Sequence, residues 1–180
     1  MSEPCLKVKV FDLECSNLRT DLGVLLCAAF YDMADGSIES RSVNDFGRKG
    51  ELSLVKWVRQ QIADSTILIG HNILAFDRHF IDGVLARHNL EPLPRRILVD
   101  TLMIARYGFQ GLPSGNSLRN LSHFFKLTEE KESLEKEQWR TALLDPQAML
   151  ELKEHCEADC RVTAMLFDRL QPYWFRWQGR

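Results

Sequence analysis

Residues 6–15 read LKVKVFDLEC, a stretch rich in β-branched and aromatic side chains that ends in two acids. Its composition predicts a strand over residues 6–13. Side chains two residues apart lie on one face of a strand, so Asp12 and Glu14 share a face with Val10, which should be buried. Paired carboxylates at the edge of a core favour a bound cation, and their oxygens suit Mg²⁺ or Mn²⁺ best. The alternative is that the two acids only end the strand and face water.

Two further strands are expected directly after this one. Residues 22–31 form a continuous apolar run between two acids, which predicts a second buried strand. A turn signal at residues 34–36 precedes an alternating stretch at 37–43, which predicts a third strand returning antiparallel. The fold should therefore open as a three-stranded meander.

The apolar spacing changes to three and four after Glu51, which predicts a helix followed by alternating strands and helices. Short strands are expected at 66–69 and 97–99, with a helix between them on the stripe that includes Phe76 and Phe80. Further helices are predicted at 117–125, 128–140 and, after the Asp145-Pro146 start signal, 146–170. The loop 108–115, GFQGLPSG, either clamps a strand or only connects two helices. This order predicts an α/β fold with a mixed five-stranded sheet, an antiparallel meander plus parallel strands, flanked by helices.

Composition limits the classes of protein to consider. The chain has 180 residues, of which 45% are hydrophobic, and we expect one domain, 1–180, with its motifs inside 6–170 and an aromatic C-terminal tail at 171–180. A net charge of -2 argues against a protein that coats nucleic acid, yet allows one that holds a short stretch. No apolar run nears the roughly 20 residues of a membrane span, so we expect no membrane association. Five cysteines without a CxxC pair or an apolar leader favour a reducing, cytoplasmic location.

Two other elements carry acids on faces that should point inward. In ILIGHNILAFDRHFI, residues 67–81, a buried strand breaks at Gly70 and leads into a helix that carries Asp77. Alone, Asp77 is also explained as an acid that interacts with the helix dipole. In the last helix, His155 and Asp159 lie one turn apart on an apolar stripe, where a local hydrogen bond between them is the simpler explanation.

Taken together, the three elements resemble the motifs of the DEDD, or DnaQ-like, 3′-to-5′ exonucleases, whose fold is of the ribonuclease H type. The segment 99–102, VDTL, also resembles one that these enzymes carry. In form the motifs are most similar to the exonuclease domains of family B polymerases and to related stand-alone nucleases. The matching residues are Asp12 and Glu14, then His71, Asn72, Phe76 and Asp77, and finally His155 and Asp159.

The resemblance implies a function and a set of roles. It implies hydrolysis of phosphodiester bonds from the 3′ end of single-stranded DNA or RNA, with release of nucleoside 5′-monophosphates and two divalent ions, Mg²⁺ or Mn²⁺, as cofactors. The implied metal ligands are Asp12, Glu14, Asp77 and Asp159, with His155 as general base. The implied contacts to the terminal nucleotides are Leu13, Cys15, Asn72 and Phe76.

One departure concerns the third motif. The family has a branch with Tyr four residues before the last Asp and a branch with His five residues before it. Here His155 stands four residues before Asp159, so the residue belongs to one branch and the spacing to the other. If His155 does not reach the attacking water, catalysis should be slower, or another histidine such as His71 must assist.

Two other functions share parts of this pattern. A non-catalytic nucleic-acid-binding module could keep the fold, and an endonuclease on a ribonuclease H type of sheet could keep the acids. The resemblance leaves the process open among proofreading, DNA repair, RNA turnover and a role in a phage, and a polymerase or helicase activity would need a separate partner.

Overall fold

The computed structural model describes residues 6–108, 115–129 and 136–178. Their central element is a five-stranded sheet in the order β3-β2-β1-β4-β5. The strands are β1 (Val8–Cys15), β2 (Leu25–Asp32), β3 (Ile38–Ser42), β4 (Ile67–Gly70) and β5 (Ile97–Asp100). The first three pair antiparallel and the last two join in parallel, which confirms the predicted ribonuclease H-like mixed sheet.

Six α-helices and one 3-10 helix, Val43–Lys49, surround this sheet in the described ranges. The α-helices are α1 (Gly50–Ala63), α2 (Asp77–Arg87), α3 (Thr101–Gly108), α4 (Leu118–Phe124), α5 (Lys136–Thr141) and α6 (Pro146–Gln178). None of them combines the length and the apolar character that crossing a membrane takes.

The two faces of the sheet are covered by different helices. On one face, Phe11 stacks on Phe30, which meets the ring of Trp57 in α1 edge-on. On the other face, α6 packs against β1 and β2, where Cys160 directs its thiol to the carbonyl of Ala29. Odd-numbered residues of β1 therefore face α1, and even-numbered residues, the acids among them, face α6.

The predicted helix after Glu51 is confirmed. The residues expected on its apolar stripe are all buried in α1: Leu54, Val55, Val58 and Ile62. The helix over 117–125 is confirmed as α4, where the Ser117 side chain accepts a hydrogen bond from the Asn120 backbone as an N-terminal cap.

Two helix boundaries differ from the prediction. Thr128 and Glu129 are not helical, since Lys126 adopts a positive φ of 51° after α4 and the chain turns so that Leu127 is buried. Helix α5 is described over Lys136–Thr141, and residues 130–135 of the predicted 128–140 helix lie outside the described residues. Most of the predicted loop 108–115, residues 109–114, also lies outside them.

Helix α6 begins at Pro146 as predicted but continues past residue 170 to Gln178, with Pro172 inside it. A proline removes one backbone hydrogen bond, here the one to the carbonyl of Asp168, an exposed residue whose carbonyl water can satisfy. Trp174 packs edge-on against Phe167 on the same helix. The aromatic tail thus starts as the last turns of α6.

Candidate active site

Strand β1 places its two acids beside an opening in the sheet. Its parallel pairing with β4 ends at Val10, opposite Ile69, whereas its pairing with β2 continues to the end of the strand. Asp12 and Glu14 therefore lie past the point where β4 leaves the sheet. Because no strand of the described ranges pairs with β1 on that side beyond Val10, a ligand can approach their carboxylates there.

Three side chains of types that can bind a metal ion meet at this point. Ligand atoms of Glu14, His155 and Asp159 all lie within 4.8 Å of one another. The Nε2 atom of His155 is 3.8 Å from Glu14 Oε1 and 3.8 Å from Asp159 Oδ2. His155 and Asp159 are 8% and 2% exposed, so the cluster is largely withdrawn from water. The spacing of four residues thus brings His155 into the cluster, one turn of α6 before Asp159.

Asp12 and Asp77 are outside this cluster of three but close to it electrostatically. Burial, together with the charges of Glu14, Asp77 and Asp12, raises the pKa of the Cys15 thiol to about 12. Burial also raises the pKa of the Cys160 thiol well above its ordinary value, with Asp12, Asp159 and Asp77 contributing.

The influence of all four acids on two buried thiols indicates that their negative charges share one region. Asp77 is 5% exposed as the first residue of α2, and buried oxygens of Asp12 and Asp159 belong to the same interior. Such a concentration of negative charge away from water favours cation binding.

The donor set fits a hard divalent cation. The carboxylate oxygens of Glu14 and Asp159 are the ligand type that suits Mg²⁺ and Mn²⁺, whereas the imidazole nitrogen of His155 is a ligand type of softer metals. A zinc site built from the neighbouring cysteines does not fit. The Cys156 and Cys160 thiols are directed to the carbonyls of Asp12 and Ala29, and burial raises the pKa of both thiols, which opposes the thiolate that zinc requires.

The loop between β4 and α2 is held by the end of β5. The Asp100 carboxylate accepts hydrogen bonds from the backbone N–H groups of Asn72 and Leu74 in the loop and of Leu102 and Met103 at the start of α3. Asn72 has a positive φ of 72°, a conformation that Asn tolerates better than most residues. Asp100 therefore fixes the segment that delivers Asp77.

His71 also helps to hold the loop between β4 and α2 against the start of α3. Its Nδ1 is 2.9 Å from the Thr101 hydroxyl, which in turn donates to the carbonyl of Gly70. The sequence suggested His71 as an assistant to His155, but this contact ties its ring to the start of α3. Gly70 itself has a steric reason to lack a side chain, because a Cβ would lie 2.7 Å from the Cβ of Ile73.

A groove of about 400 Å³ opens directly beside Glu14. Three residues that the sequence assigned to substrate binding line it: Leu13, Cys15 and Phe76. Asn72, the fourth, is not among the lining residues and serves the loop through its backbone. The other lining residues are Glu14, Ser16, Asn17, Leu18, Trp139 and Arg140.

Sequence reasoning missed Trp139 and Arg140. The indole N–H of Trp139 donates to Glu14 Oε2 at 2.6 Å, across 125 residues of sequence, and its ring meets His155 edge-on. The one available signal was a single tryptophan in a charge-dense segment, TEEKESLEKEQWR, which is otherwise typical of a solvated helix. Asp100 was noted only as part of the VDTL segment.

Comparisons with known proteins agree with this architecture. The family model RNase_H_2, described as RNase_H superfamily, matches residues 10–171. The fold is similar to a structure of the family B DNA polymerase from the hyperthermophilic archaeon Pyrobaculum calidifontis, with a TM-score of 0.74 and 18% identity. The likeness covers 94% of this chain and 25% of the polymerase chain. Among curated proteins, no significant match is found.

Proposed function

The chain belongs to the RNase H superfamily, and from this premise we propose that it is a metal-dependent 3′-to-5′ exonuclease acting on single-stranded DNA or RNA. The observation that carries the proposal is the cluster of Glu14 from β1 with His155 and Asp159 from α6, beside a groove large enough for a nucleotide. The charges of Asp12 and Asp77 act on the same buried thiols as those of this cluster. Elements far apart in sequence deliver these side chains to one opening in the sheet. A purely structural role would not require so much negative charge in a buried place.

The four acids, Asp12, Glu14, Asp77 and Asp159, would hold two divalent cations. When bound, such ions supply the positive charge that activates a water and stabilises the developing charge on a phosphodiester. The chain's part is to keep its carboxylates fixed and dry. The regular backbone of strand β1 and helix α6 holds the acids that they carry. The hydrogen bonds of Asp100 to the loop hold the start of α2, which carries Asp77.

His155 is the proposed general base. Its Nε2 faces the carboxylates of Glu14 and Asp159, so it can take a proton from a water bound among them. The arrangement supports this role despite the mixed form of the third motif, because one helical turn separates His155 from Asp159 and both are buried.

The groove suits the last nucleotide of a single strand. Phe76 and Trp139 offer aromatic surface on which any base can stack, as expected of a nuclease without strong sequence preference. Arg140 in the same lining is placed to contact a phosphate. The similarity of the motifs to polymerase exonuclease domains, and of the fold to a family B DNA polymerase, favours attack from a 3′ end. Proofreading with a separate polymerase, or DNA repair, is the corresponding biological role.

The test is digestion of oligonucleotides labelled at the 5′ end, with DNA and RNA substrates and with Mg²⁺ or Mn²⁺. We expect a ladder that shortens from the 3′ end and nucleoside 5′-monophosphates as products. Asp12→Asn should remove activity, because it takes away a metal-binding carboxylate with little change of shape. Asp168→Asn is the matched control, since Asp168 is exposed on α6 and should leave the rate unchanged.

Other outcomes identify the competing functions. Internal cuts would indicate an endonuclease. Binding of the oligonucleotide without any cleavage would indicate a non-catalytic module. Cleavage that persists in Asp12→Asn would contradict the assigned metal ligands.

A further inference from the structure

Trp139 contacts two of the three residues in the donor cluster. Its indole N–H donates to Glu14 Oε2 at 2.6 Å. Its ring lies edge-on to the His155 imidazole, with 6.1 Å between the ring centroids and an angle of 88° between the planes. A single side chain from the short helix α5 thus joins β1 to α6 at the site.

This contact distinguishes the two oxygens of the Glu14 carboxylate. Oε2 accepts the indole N–H, whereas Oε1 lies on the side of His155 Nε2, 3.8 Å away. Rotation of the carboxylate would break the indole bond, so the bond selects which oxygen points to the cluster. Hydrogen bonds of this kind orient metal ligands in many proteins, and their loss weakens metal binding.

We infer that Trp139 is a positioning residue that orients Glu14 for a divalent cation, while its ring forms a wall of the substrate groove. The inference rests on the proposed function for the identity of the cation site, but it concerns metal affinity and can be tested without any substrate. Two parts of the Trp139 side chain then have different roles. The indole N–H orients Glu14, and the ring lines the groove.

The first test is calorimetric titration of Mn²⁺ into wild-type protein and Trp139→Phe. Phenylalanine keeps an aromatic ring beside His155 but cannot donate to Glu14. We expect the affinity for Mn²⁺ to fall by about 10- to 100-fold, the usual effect of removing such a supporting hydrogen bond. Trp57→Phe is the matched control, because Trp57 packs on Phe30 at the other face of the sheet and should leave Mn²⁺ affinity unchanged.

A thermodynamic cycle shows whether the effect passes through Glu14. In a Glu14→Ala background, which has no side-chain oxygen for the indole N–H to orient, Trp139→Phe should cause no further loss of Mn²⁺ affinity. Equal losses with and without the Glu14 carboxylate, or an unchanged affinity in folded Trp139→Phe, would overturn the inference.

A measurement on the wild-type protein covers the case in which Trp139→Phe does not fold. The indole N–H resonances of ¹⁵N-labelled protein can be assigned by replacing the other tryptophans one at a time. We expect Mg²⁺ to shift the Trp139 signal while the Trp57 signal stays in place. An indole N–H chemical shift of Trp139 that does not change at saturating Mg²⁺ would contradict the inference.

Nuclease assays separate this inference from the proposed function. At limiting Mn²⁺, Trp139→Phe should cut more slowly than wild type, and at saturating Mn²⁺ the difference should largely disappear. Trp139→Ala should in addition raise KM for the oligonucleotide, because it removes the groove wall. If neither wild type nor any variant cuts nucleic acid but Mn²⁺ affinity still falls in Trp139→Phe, the inference stands and the nuclease function fails. If the protein cuts nucleic acid and Trp139→Phe leaves Mn²⁺ affinity unaltered, the nuclease function stands and the inference fails.

Discussion

At the residue scale, His155 is the side chain whose role the geometry makes most specific. It sits among carboxylates with its Nε2 directed to two of them, yet it is neutral when deprotonated and can accept a proton. His155→Gln should therefore slow cleavage by roughly 100-fold or more, the usual contribution of a general base.

Single-turnover cleavage at saturating metal measures this effect on the chemical step. His123→Gln is a suitable control, since His123 is exposed at the end of α4. A loss of only a few-fold in His155→Gln would remove the general-base assignment and leave the metal ligands as they are.

The buried thiols make a second prediction at this scale, for protein in EDTA. Burial, with the acids beside it, raises the pKa of the Cys15 thiol to about 12, and burial raises the pKa of Cys156 and Cys160 as well. Below about pH 9, folded and unfolded chains both keep these protons, so the thiols add no pH dependence to stability. Above it, the unfolded chain loses protons that the folded chain retains, and the free energy of unfolding falls as pH rises.

Urea unfolding between pH 8 and 10.5 checks this trend. Each thiol can contribute a slope of up to about 1.4 kcal/mol per pH unit. Cys160→Ala should make the decline shallower than in wild type, whatever its effect on absolute stability. An unchanged slope in that variant would show that other groups cause the decline.

At the element scale, the carboxylate of Asp100 joins β5, α3 and the loop before α2. It accepts four backbone hydrogen bonds, and no water can replace them easily because the residue is 4% exposed. Asp100→Ala should lower the free energy of unfolding by roughly 2 to 4 kcal/mol, since it leaves buried N–H groups without their acceptor.

The same variant should also lose activity, because the loop delivers Asp77 to the site. Urea unfolding and the oligonucleotide assay measure the two effects. Asp64→Ala, an exposed acid at the end of α1, serves as control and should change neither by much. Full activity in Asp100→Ala would show that α2 keeps its place without this support.

At the scale of the whole molecule, charge connects metal binding with nucleic-acid binding. The net charge is -2, and two divalent ions would bring it to about +2. A single-stranded phosphorothioate oligonucleotide that resists cleavage should therefore bind more tightly with Mg²⁺ than in EDTA. Fluorescence anisotropy measures this difference, and Asp12→Asn should reduce the gain. Equal affinity with and without metal would place the strand away from the acids.

Much of this fold follows from local patterns. The apolar stripe of α1 and the alternation in β1 are properties of neighbouring residues, so their buried faces could be predicted. The pair His155 and Asp159 is also local, one turn apart on α6. The end of α6 was harder to predict, because Pro172 is a breaker by composition yet is tolerated where the lost bond faces water.

The sequence by itself determined the strands, most of the helices and the acids of the site, because hydrophobic period and helical spacing act over a few residues. Only the tertiary structure decided that Trp139 supports Glu14, that Asp100 holds the loop before Asp77, and that a groove opens beside Glu14 and Trp139. Trp139 and Glu14 are 125 positions apart in the sequence, and Asp100 is 28 positions from Asn72 in the loop. Which residues meet depends on where α5 packs and where β5 lies in the sheet. No local sequence pattern specifies that geometry.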